Sequence, residues 1–267
     1  MKRKKVITMI AATLAFTMTV CGSSTAIAAS ELTAESKPAT QYTIDANQEV
    51  YALLDFEDTE EFENATKGLI ASPDTLDIYD ENGKLVWSQT AYAFLDQDAP
   101  DTANPSLWRD TQLNHIYGLF EVTDGIYQVR GYDMSNITFI KGDTGWIVVD
   151  PLMSVECAQA AFALVEENLG TFPVKAVIYS HSHVDHFGGV KGIVSEEEVQ
   201  AGNVQVIAPE GFEKHAVSEN IYAGTAMGRR ASYQYGTMLE GGETGSLAIG
   251  IGMGQSKGRT SYISPTL

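Results

Sequence analysis

Three histidines and an aspartate lie within six consecutive residues of this chain. They are His181, His183, Asp185 and His186, and they include three of the five histidines in the sequence. Imidazole and carboxylate groups without a thiolate suit Zn²⁺, although Mn²⁺ or Fe²⁺ could bind the same set. The alternative is a solvated polar loop. Clustering of this kind favours a metal site.

The spacing groups these four side chains into two pairs, each of which could bind one metal ion. His181 and His183 are two residues apart, so in an extended segment both lie on one face and can bind one ion. Asp185 and His186 follow where the backbone turns, and they can face a second ion. Two ions about 3.5–4 Å apart can bridge a water, lower its pKa and stabilise charge on a leaving oxygen. The predicted chemistry is therefore hydrolysis, with Asp185 as the candidate catalytic residue.

Asp150 is a second candidate, because it ends an apolar strand and precedes Pro151. It could hydrogen-bond a ligating imidazole and fix its tautomer. The alternative is that it caps the helix that follows. His115 and His215 stand alone in the sequence, and we interpret both as structural.

The hydrophobic pattern predicts the scaffold that delivers the loop. A buried strand over 174–179 leads directly into His181. Before it, strands between 119 and 149 form an antiparallel meander, and helical spacing covers 155–169. The order then continues as β–α–β–α, which predicts an α/β fold with a mixed sheet covered by helices.

Two segments precede this core. Residues 1–28 have a basic start, an apolar run and a small-residue cleavage site, which predicts a signal peptide and a secreted or periplasmic protein. The apolar run is short for a spanning helix, so no stable membrane span is expected; a lipoprotein anchored at Cys21 is the alternative. Residues 29–115 read as an N-terminal extension: a polar leader over 31–48, then an acidic helix, a hairpin and loops.

Charge and cysteine content narrow the function further. The formal net charge is −18, which argues against nucleic-acid binding because that needs a basic footprint. Anionic substrates would approach slowly unless metal ions make the site positive. After signal removal Cys157 is the remaining cysteine, so no internal disulfide is expected and we interpret it as small core filler.

The pattern His-x-His-x-Asp-His, after an apolar strand and before Gly188-Gly189, resembles the metallo-β-lactamase superfamily. Longer stretches resemble the alkyl sulfatases within it, which are secreted or periplasmic enzymes that hydrolyse alkyl sulfates such as dodecyl sulfate. Those stretches are residues 91–95, 98–102, 104–109, 118–131, 144–151, 207–212 and 229–233.

The resemblance implies an αββα sandwich with a two-zinc site, in which His181 and His183 bind one zinc and Asp185 and His186 the other. It also implies hydrolysis of an alkyl sulfate, a small-molecule substrate, to an alcohol and inorganic sulfate by an activated water. Family members are homodimers through a region absent from this sequence, and they are much longer. Two glutamates and a histidine that complete their zinc ligands lie beyond the matched region.

We therefore expect residues 116–267 to form the first half of the sandwich, with an incomplete active site and one exposed apolar face. Two alternatives remain open. One is another hydrolase of the superfamily, such as a lactonase, thioesterase or β-lactamase. The other is a non-catalytic metal-binding fragment.

Overall fold

Nine strands form two sheets within residues 37–267, the part of the chain that the computed structural model describes. They are β1 (Leu69–Ala71), β2 (Asp77–Tyr79), β3 (Leu85–Ser88), β4 (Gly118–Thr123), β5 (Ile126–Arg130), β6 (Ile137–Lys141), β7 (Trp146–Val149), β8 (Val174–Ile178) and β9 (Gln205–Ile207). Strands β2 and β3 form a hairpin, and the other seven form one sheet in the order β1-β4-β5-β6-β7-β8-β9. Pairs from β1 to β7 are antiparallel, whereas β7-β8 and β8-β9 are parallel. The predicted mixed sheet is confirmed.

Seven α-helices accompany the strands in these residues. They are α1 (Gln41–Leu53), α2 (Glu60–Thr66), α3 (Pro105–Asn114), α4 (Val155–Leu169), α5 (Glu196–Gln200), α6 (Phe212–Val217) and α7 (Gly224–Gln234). Shorter 3₁₀ segments cover Thr90–Asp96, Val184–His186 and Val190–Gly192, and a π-helical turn covers Ser218–Tyr222. Among the described helices, none has the length and apolar character needed to cross a membrane.

One face of the large sheet is fully buried beneath α4. Successive side chains of a strand point to opposite faces, so every second residue of the central strands contributes to this core. The buried members are Val129, Phe139, Trp146, Val148, Val177 and Val206. Phe162 of α4 stacks on Phe139, with ring centroids 5.8 Å apart. Hydrophobic burial on this face is what fixes α4 against the sheet.

The opposite face of the sheet carries apolar side chains that are only partly covered. The strand register places Ile140 beside Ile147, Val149 beside Ile178, and Ile178 beside Ile207. All five side chains are partly exposed. The expected apolar face is therefore present, although its side chains are partly rather than fully exposed.

Helix α4 begins and ends where the sequence predicts. Ser154 occupies its N-cap position, and Gly170 follows its last residue with φ of +90°, a conformation that L side chains rarely adopt. The helix also contacts β1 and the β2–β3 hairpin, whose Ile78 and Trp87 are buried. Cys157 is fully buried in α4, and burial raises the pKa of its thiol. It fills core space, as interpreted from the sequence.

Two of the helices that precede β4 were not predicted. Helix α1 forms within the polar leader, where Thr40 caps it by accepting a hydrogen bond from the Thr43 amide at 3.3 Å. It buries no residue, so its sequence carries no apolar periodicity to read. Helix α3 begins in a stretch interpreted as loop, where the Asn104 side chain accepts bonds from two amides and Pro105 opens the first turn.

The chain after Tyr235 lacks regular elements but is firmly attached. Thr266 donates a backbone hydrogen bond to the Val206 carbonyl at 2.6 Å, and the Leu267 carbonyl accepts one from Ala208 at 3.2 Å. These two contacts lie along the outer edge of β9. Further upstream, the Ser256 hydroxyl donates to the buried carboxylate of Asp133 at 2.8 Å. The tail is therefore part of the folded unit.

The predicted limits of the three segments, 1–28, 29–115 and 116–267, remain predictions. Residues 37–267 form one compact unit. The expected signal peptide, residues 1–28 with Cys21, lies outside the described residues. The proposed division between 29–115 and 116–267 is not marked by any gap in that compact unit, because α3 and the hairpin share its core.

Candidate metal centre

The metal loop starts from a strand end that is firmly packed. Tyr179, directly after β8, is fully buried and donates its hydroxyl to the Ile263 carbonyl at 3.1 Å. Its ring lies 5.8 Å from that of Phe187 and 5.3 Å from that of Phe212. Phe187 follows the 3₁₀ turn Val184–His186. Aromatic packing therefore holds both ends of the loop that carries the candidate ligands.

All four predicted ligands come together at the end of β8. The His181 ring centroid lies 4.6 Å from that of His183 and 4.1 Å from that of His186. The Nε2 atom of His186 lies 3.0 Å from the Asp185 carboxylate. The side chains are partly exposed, and that of His183 is the most open at 54%. The cluster is thus accessible from solvent.

Asp150 contacts the cluster from the neighbouring strand. Because β7 and β8 are parallel, the residues after each strand meet at the same sheet edge. Asp150 Oδ2 lies 2.9 Å from His186 Nδ1, and its two oxygens accept bonds from the Ser180 amide at 2.7 Å and hydroxyl at 2.6 Å. The predicted hydrogen bond between Asp150 and an imidazole of the loop is confirmed, whereas metal binding by that imidazole stays a prediction. The capping interpretation is wrong, because Ser154 holds the N-cap position of α4.

The backbone at Asp150 has a φ of +55°, in the left-handed region. Residues other than glycine pay a conformational cost there, and such conformations cluster at functional sites. The conformation is held by tertiary contacts: the Asp150 amide donates to the Ile178 carbonyl at 2.9 Å. The carboxylate is thereby fixed toward His186.

The hydrogen bonds between His186 and two carboxylates shift the pKa values of all three groups. Burial alone would lower the pKa of His186, but hydrogen bonds to Asp150 and Asp185 outweigh it and raise the pKa to about 9. Burial alone would raise the pKa of Asp150 and of Asp185, but their bonds to His186 hold both pKa values below the ordinary range. Burial lowers the pKa of His181, and the neighbouring histidines lower it further. The protonated, cationic form of His186 is thus favoured between the two carboxylates.

Gly188 and Gly189 allow the loop to pack against the β7–α4 connection. A Cβ on Gly188 would lie 2.2 Å from the Met153 carbonyl oxygen, and one on Gly189 would lie 2.1 Å from the Pro151 carbonyl oxygen. Real Cβ atoms do not approach so closely, so only glycine fits without a backbone shift. The Gly189 amide donates to the Leu152 carbonyl at 2.9 Å.

Two contacts of the cluster were not anticipated from the sequence. The Ser135 hydroxyl donates to the Asp185 backbone carbonyl and ties the loop to the β5–β6 connection. Glu219, on the π-helical turn, lies 2.9 Å from His183 Nε2. Neither residue sits in a motif, and each is brought to the loop by tertiary packing. The isolated His115 pairs instead with Gln89 at 2.9 Å, in keeping with a structural role.

A polar cavity of about 340 Å³ opens beside Asp185 and His186. Its polar lining consists of Gln128, Ser135, Asn136, Thr138, Asp150, Asp185 and His186. Arg130 donates from Nε to the Gln128 side-chain oxygen at 2.7 Å, which orients that amide. The cavity therefore combines two of the four candidate ligands, Asp185 and His186, with neutral hydrogen-bonding groups.

The donor chemistry fits zinc, but His183, Asp185 and His186 already form ion pairs within the cluster and with neighbouring carboxylates. Within residues 37–267, no group of three or more His, Cys, Asp or Glu side chains is arranged to hold a metal ion. His186 pairs with Asp150 and Asp185, and His183 pairs with Glu219. A metal ion would have to replace these pairings at Nε2 of both histidines. The assignment of His181, His183, Asp185 and His186 as ligands therefore stays a prediction.

Comparison with known proteins confirms the predicted resemblance. Residues 130–254 match the metallo-β-lactamase superfamily model. The chain is 50% identical over 233 residues to a linear primary-alkylsulfatase of Pseudomonas sp., and 49% identical over 251 residues to an (R)-specific secondary-alkylsulfatase of Pseudomonas sp.. These matches cover 86% and 94% of this chain, but 35% and 36% of the relatives. The chain thus spans about a third of the length of these relatives.

The solved structures agree with the sequence matches. The stereoselective inverting sec-alkylsulfatase Pisa1 from Pseudomonas sp. is 48% identical and superimposes with a TM-score of 0.82. That match covers 87% of this chain and 37% of the Pisa1 chain. The predicted fold class, a partial αββα sandwich of the metallo-β-lactamase type, is confirmed.

Proposed function

We propose that this chain contributes His181, His183, Asp185 and His186 to a two-zinc centre that hydrolyses alkyl sulfate esters to an alcohol and inorganic sulfate. The observation that carries the proposal is the convergence of all four side chains at one strand end, with Asp150 bonded to His186. The roughly half-identical relatives named as alkylsulfatases support the choice of ester.

The residues of the loop have distinct tasks in this proposal. Asp150 accepts the Nδ1 proton of His186 and so fixes the ring with Nε2 toward Asp185, where a metal ion would replace the Nε2 proton. Ser135 holds the Asp185 backbone, and Ser180 holds Asp150. Zinc held by these donors would supply Lewis-acid chemistry, lowering the pKa of a water and stabilising charge on a leaving oxygen. Gln128 and Asn136 offer amide donors to sulfate oxygens within the polar cavity.

Four protein donors fill only part of the coordination spheres of two zinc ions, because protein-bound zinc is usually four-coordinate. We propose that the further ligands come from outside residues 37–267, in keeping with the relatives' greater length. Metal binding without turnover by the 267-residue chain is the second candidate function, favoured by the same donor count. Export through a signal peptide at residues 1–28 is part of the proposal.

A fusion protein would test the proposed activity. The 267 residues would be joined to the part of the 50% identical Pseudomonas linear primary-alkylsulfatase that lies beyond its match. We expect zinc-dependent release of inorganic sulfate from dodecyl sulfate by the fusion, and none from its His183→Ala variant. The His215→Ala variant is the matched control and should remain active. A folded, zinc-loaded fusion that releases no sulfate would contradict the proposal.

A further inference from the structure

A second, smaller cavity lies beside the polar cavity. It has a volume of about 130 Å³, and both linings include Met134, Asn136 and Ile251. We call it the Arg130 cavity, because among the described residues that line it only Arg130 is basic. Organic ligands usually occupy sites of about 300–1,000 Å³, whereas one water takes about 30 Å³ in the liquid. The Arg130 cavity therefore suits an ion of a few heavy atoms.

The guanidinium of Arg130 is held in place without a carboxylate. Its Nε atom donates to the Gln128 side-chain oxygen at 2.7 Å, and its Cζ atom lies 4.4 Å from the centre of the Phe120 ring. Within residues 37–267, no Asp or Glu forms an ion pair with it. Burial lowers the pKa of Arg130, because less water surrounds its charge. A fixed cation of this kind is stabilised by an anion.

The backbone that carries Arg130 is firmly packed. The carbonyl of Gly131 accepts hydrogen bonds from Trp87 Nε1 at 2.8 Å and from Gln89 Nε2 at 2.7 Å. Gly131 has a φ of +74°, and a Cβ there would lie 2.4 Å from the Cβ of Tyr117. Arg130 therefore extends from a strand end whose path is set by its neighbours, which lowers the entropic cost of binding a ligand.

The carboxylate of Asp133 also lines the cavity, but hydrogen bonds already surround it. Its Oδ1 atom accepts from the Met134 amide at 2.8 Å and from the Ser256 amide at 3.2 Å. Its Oδ2 atom accepts from the Ser256 hydroxyl at 2.8 Å and from the Met153 amide at 3.2 Å. Asp133 is 3% exposed. Four donors thus compensate this charge, and the guanidinium of Arg130 remains the uncompensated one.

The polar cavity has no comparable cation in its lining. It contains Asp150 and Asp185 with His186 between them, and none of the described residues that line it is Lys or Arg. Asn136, whose side chain is exposed, borders both cavities. An oxyanion that moves away from the two carboxylates therefore meets Arg130 in the adjoining space.

We propose that the Arg130 cavity binds a small inorganic oxyanion through the Arg130 guanidinium and the Asn136 amide. A planar guanidinium can donate to two oxygens of one anion, and such charge-assisted hydrogen bonds are strong. The identity of the anion as inorganic sulfate, released in the polar cavity, rests on the proposed function. Anion binding itself does not, because none of the four candidate metal ligands lines the Arg130 cavity.

An NMR titration would test this site on the 267-residue chain in EDTA. The Nε–Hε signal of Arg130, assigned by its loss in Arg130→Lys, would be followed as sodium sulfate replaces sodium chloride at constant ionic strength. Constant ionic strength keeps charge screening unchanged. We expect a saturable shift of the Arg130 signal and none of the Arg229 signal, since Arg229 is exposed on α7 and lies outside the cavity lining. An unsaturated response of both signals would overturn the proposal.

Variants make the test specific, with the backbone amide signal of Gly131 as the readout. Arg130→Gln should weaken sulfate binding by about tenfold or more, and Arg130→Lys should weaken it less because the charge remains. Asn136→Asp changes an exposed residue and should also weaken binding, since it adds a negative charge at the cavity. Arg229→Gln is the matched control. Equal sulfate affinities for Arg130→Gln, Asn136→Asp and Arg229→Gln would overturn the proposal. So would saturable binding of acetate without binding of sulfate, because a carboxylate would then be the occupant.

The outcomes are separable from those of the sulfate-release experiment. Sulfate binding in EDTA involves neither zinc nor ester cleavage, so its failure concerns the Arg130 cavity alone. Conversely, a chain that binds inorganic sulfate, in a fusion that releases none from dodecyl sulfate, would refute the hydrolytic function and leave the anion site intact.

Discussion

Nδ1 of His186 lies 2.9 Å from the carboxylate of Asp150, a residue from the neighbouring strand and 36 positions earlier in the chain. The same carboxylate accepts two further bonds from Ser180, so its position is overdetermined. Partners of this kind orient a ligating imidazole and increase its basicity. The role of Asp150 in orienting His186 can therefore be tested by measuring the zinc affinity of Asp150 variants, without an activity assay.

Replacing Asp150 should weaken zinc binding. We expect Asp150→Ala to lower zinc affinity by about 10- to 100-fold, because the His186 ring loses the partner that fixes its tautomer. Asp150→Asn keeps an acceptor oxygen and should restore part of the affinity. Competition with a chromophoric chelator would measure the change. Asp143→Ala, in an exposed turn, is the control; equal affinities for all variants would exclude the positioning role.

His183 should be required for zinc uptake. The His183→Ala variant removes one of two imidazoles predicted to share an ion, and we expect it to lose stoichiometric zinc by elemental analysis. The His215→Ala variant changes an exposed histidine on α6 and should retain the zinc of the unmodified chain. Unchanged zinc content in His183→Ala would show that the loop does not bind metal as predicted.

Gly189 should tolerate no side chain. In Gly189→Ala the new Cβ would clash with the Pro151 carbonyl at 2.1 Å, and overpacking of this kind costs about 1–3 kcal/mol of unfolding free energy. Gly228→Ala is a matched control, because Gly228 lies inside α7 with open space around it. That change should stabilise the chain by about 0.5–1 kcal/mol. Urea unfolding would measure both, and opposite signs are expected.

Asp133 should stabilise the attachment of the tail. Its carboxylate is buried and accepts hydrogen bonds from the Ser256 amide and hydroxyl and from the amides of Met134 and Met153. Asp133→Asn would place an amide NH₂ against some of these donors, at a cost of about 1–3 kcal/mol. The exposed Asp124→Asn should change the unfolding free energy little. Equal urea midpoints for the two variants would disprove this role.

The mature chain should begin at Ala29 or close to it. The predicted cleavage site ends at Ala28, so secreted material should lack the four basic residues at the start of the chain. Intact-protein mass spectrometry of exported protein would locate the N-terminus. Retention of Met1 on that material would rule out cleavage, and a lipid-modified Cys21 would favour the lipoprotein alternative.

The sequence predicts best those elements that bury a regular apolar pattern. Helix α4 and strands β4 to β9 have such a pattern, because each packs one side against the core. Helix α1 buries nothing, so its position depended on the Thr40 cap alone. Helix α3 has a readable signal in Asn104-Pro105, but the surrounding turn residues masked it.

The candidate site likewise has parts that the sequence predicts and parts that depend on tertiary packing. Its four candidate ligands are local in sequence, so their spacing was sufficient to predict that they lie together. Asp150 was predictable because it ends a strand, and the ends of parallel strands meet at one sheet edge. Ser135 and Glu219 reach the loop through a connection and a π-helical turn whose positions depend on packing. No local pattern marks such contacts.

The backbone contacts of Thr266 and Leu267 along β9 bear on aggregation. An exposed strand edge can pair with another chain, and natural sheets protect their edges by covering them or by keeping edge strands short. Here Thr266 and Leu267 occupy hydrogen-bonding positions beside Val206, and the opposite edge strand, β1, has three residues. Strand addition between molecules is thus hindered at both ends of the sheet, even though the sheet carries a partly exposed apolar face.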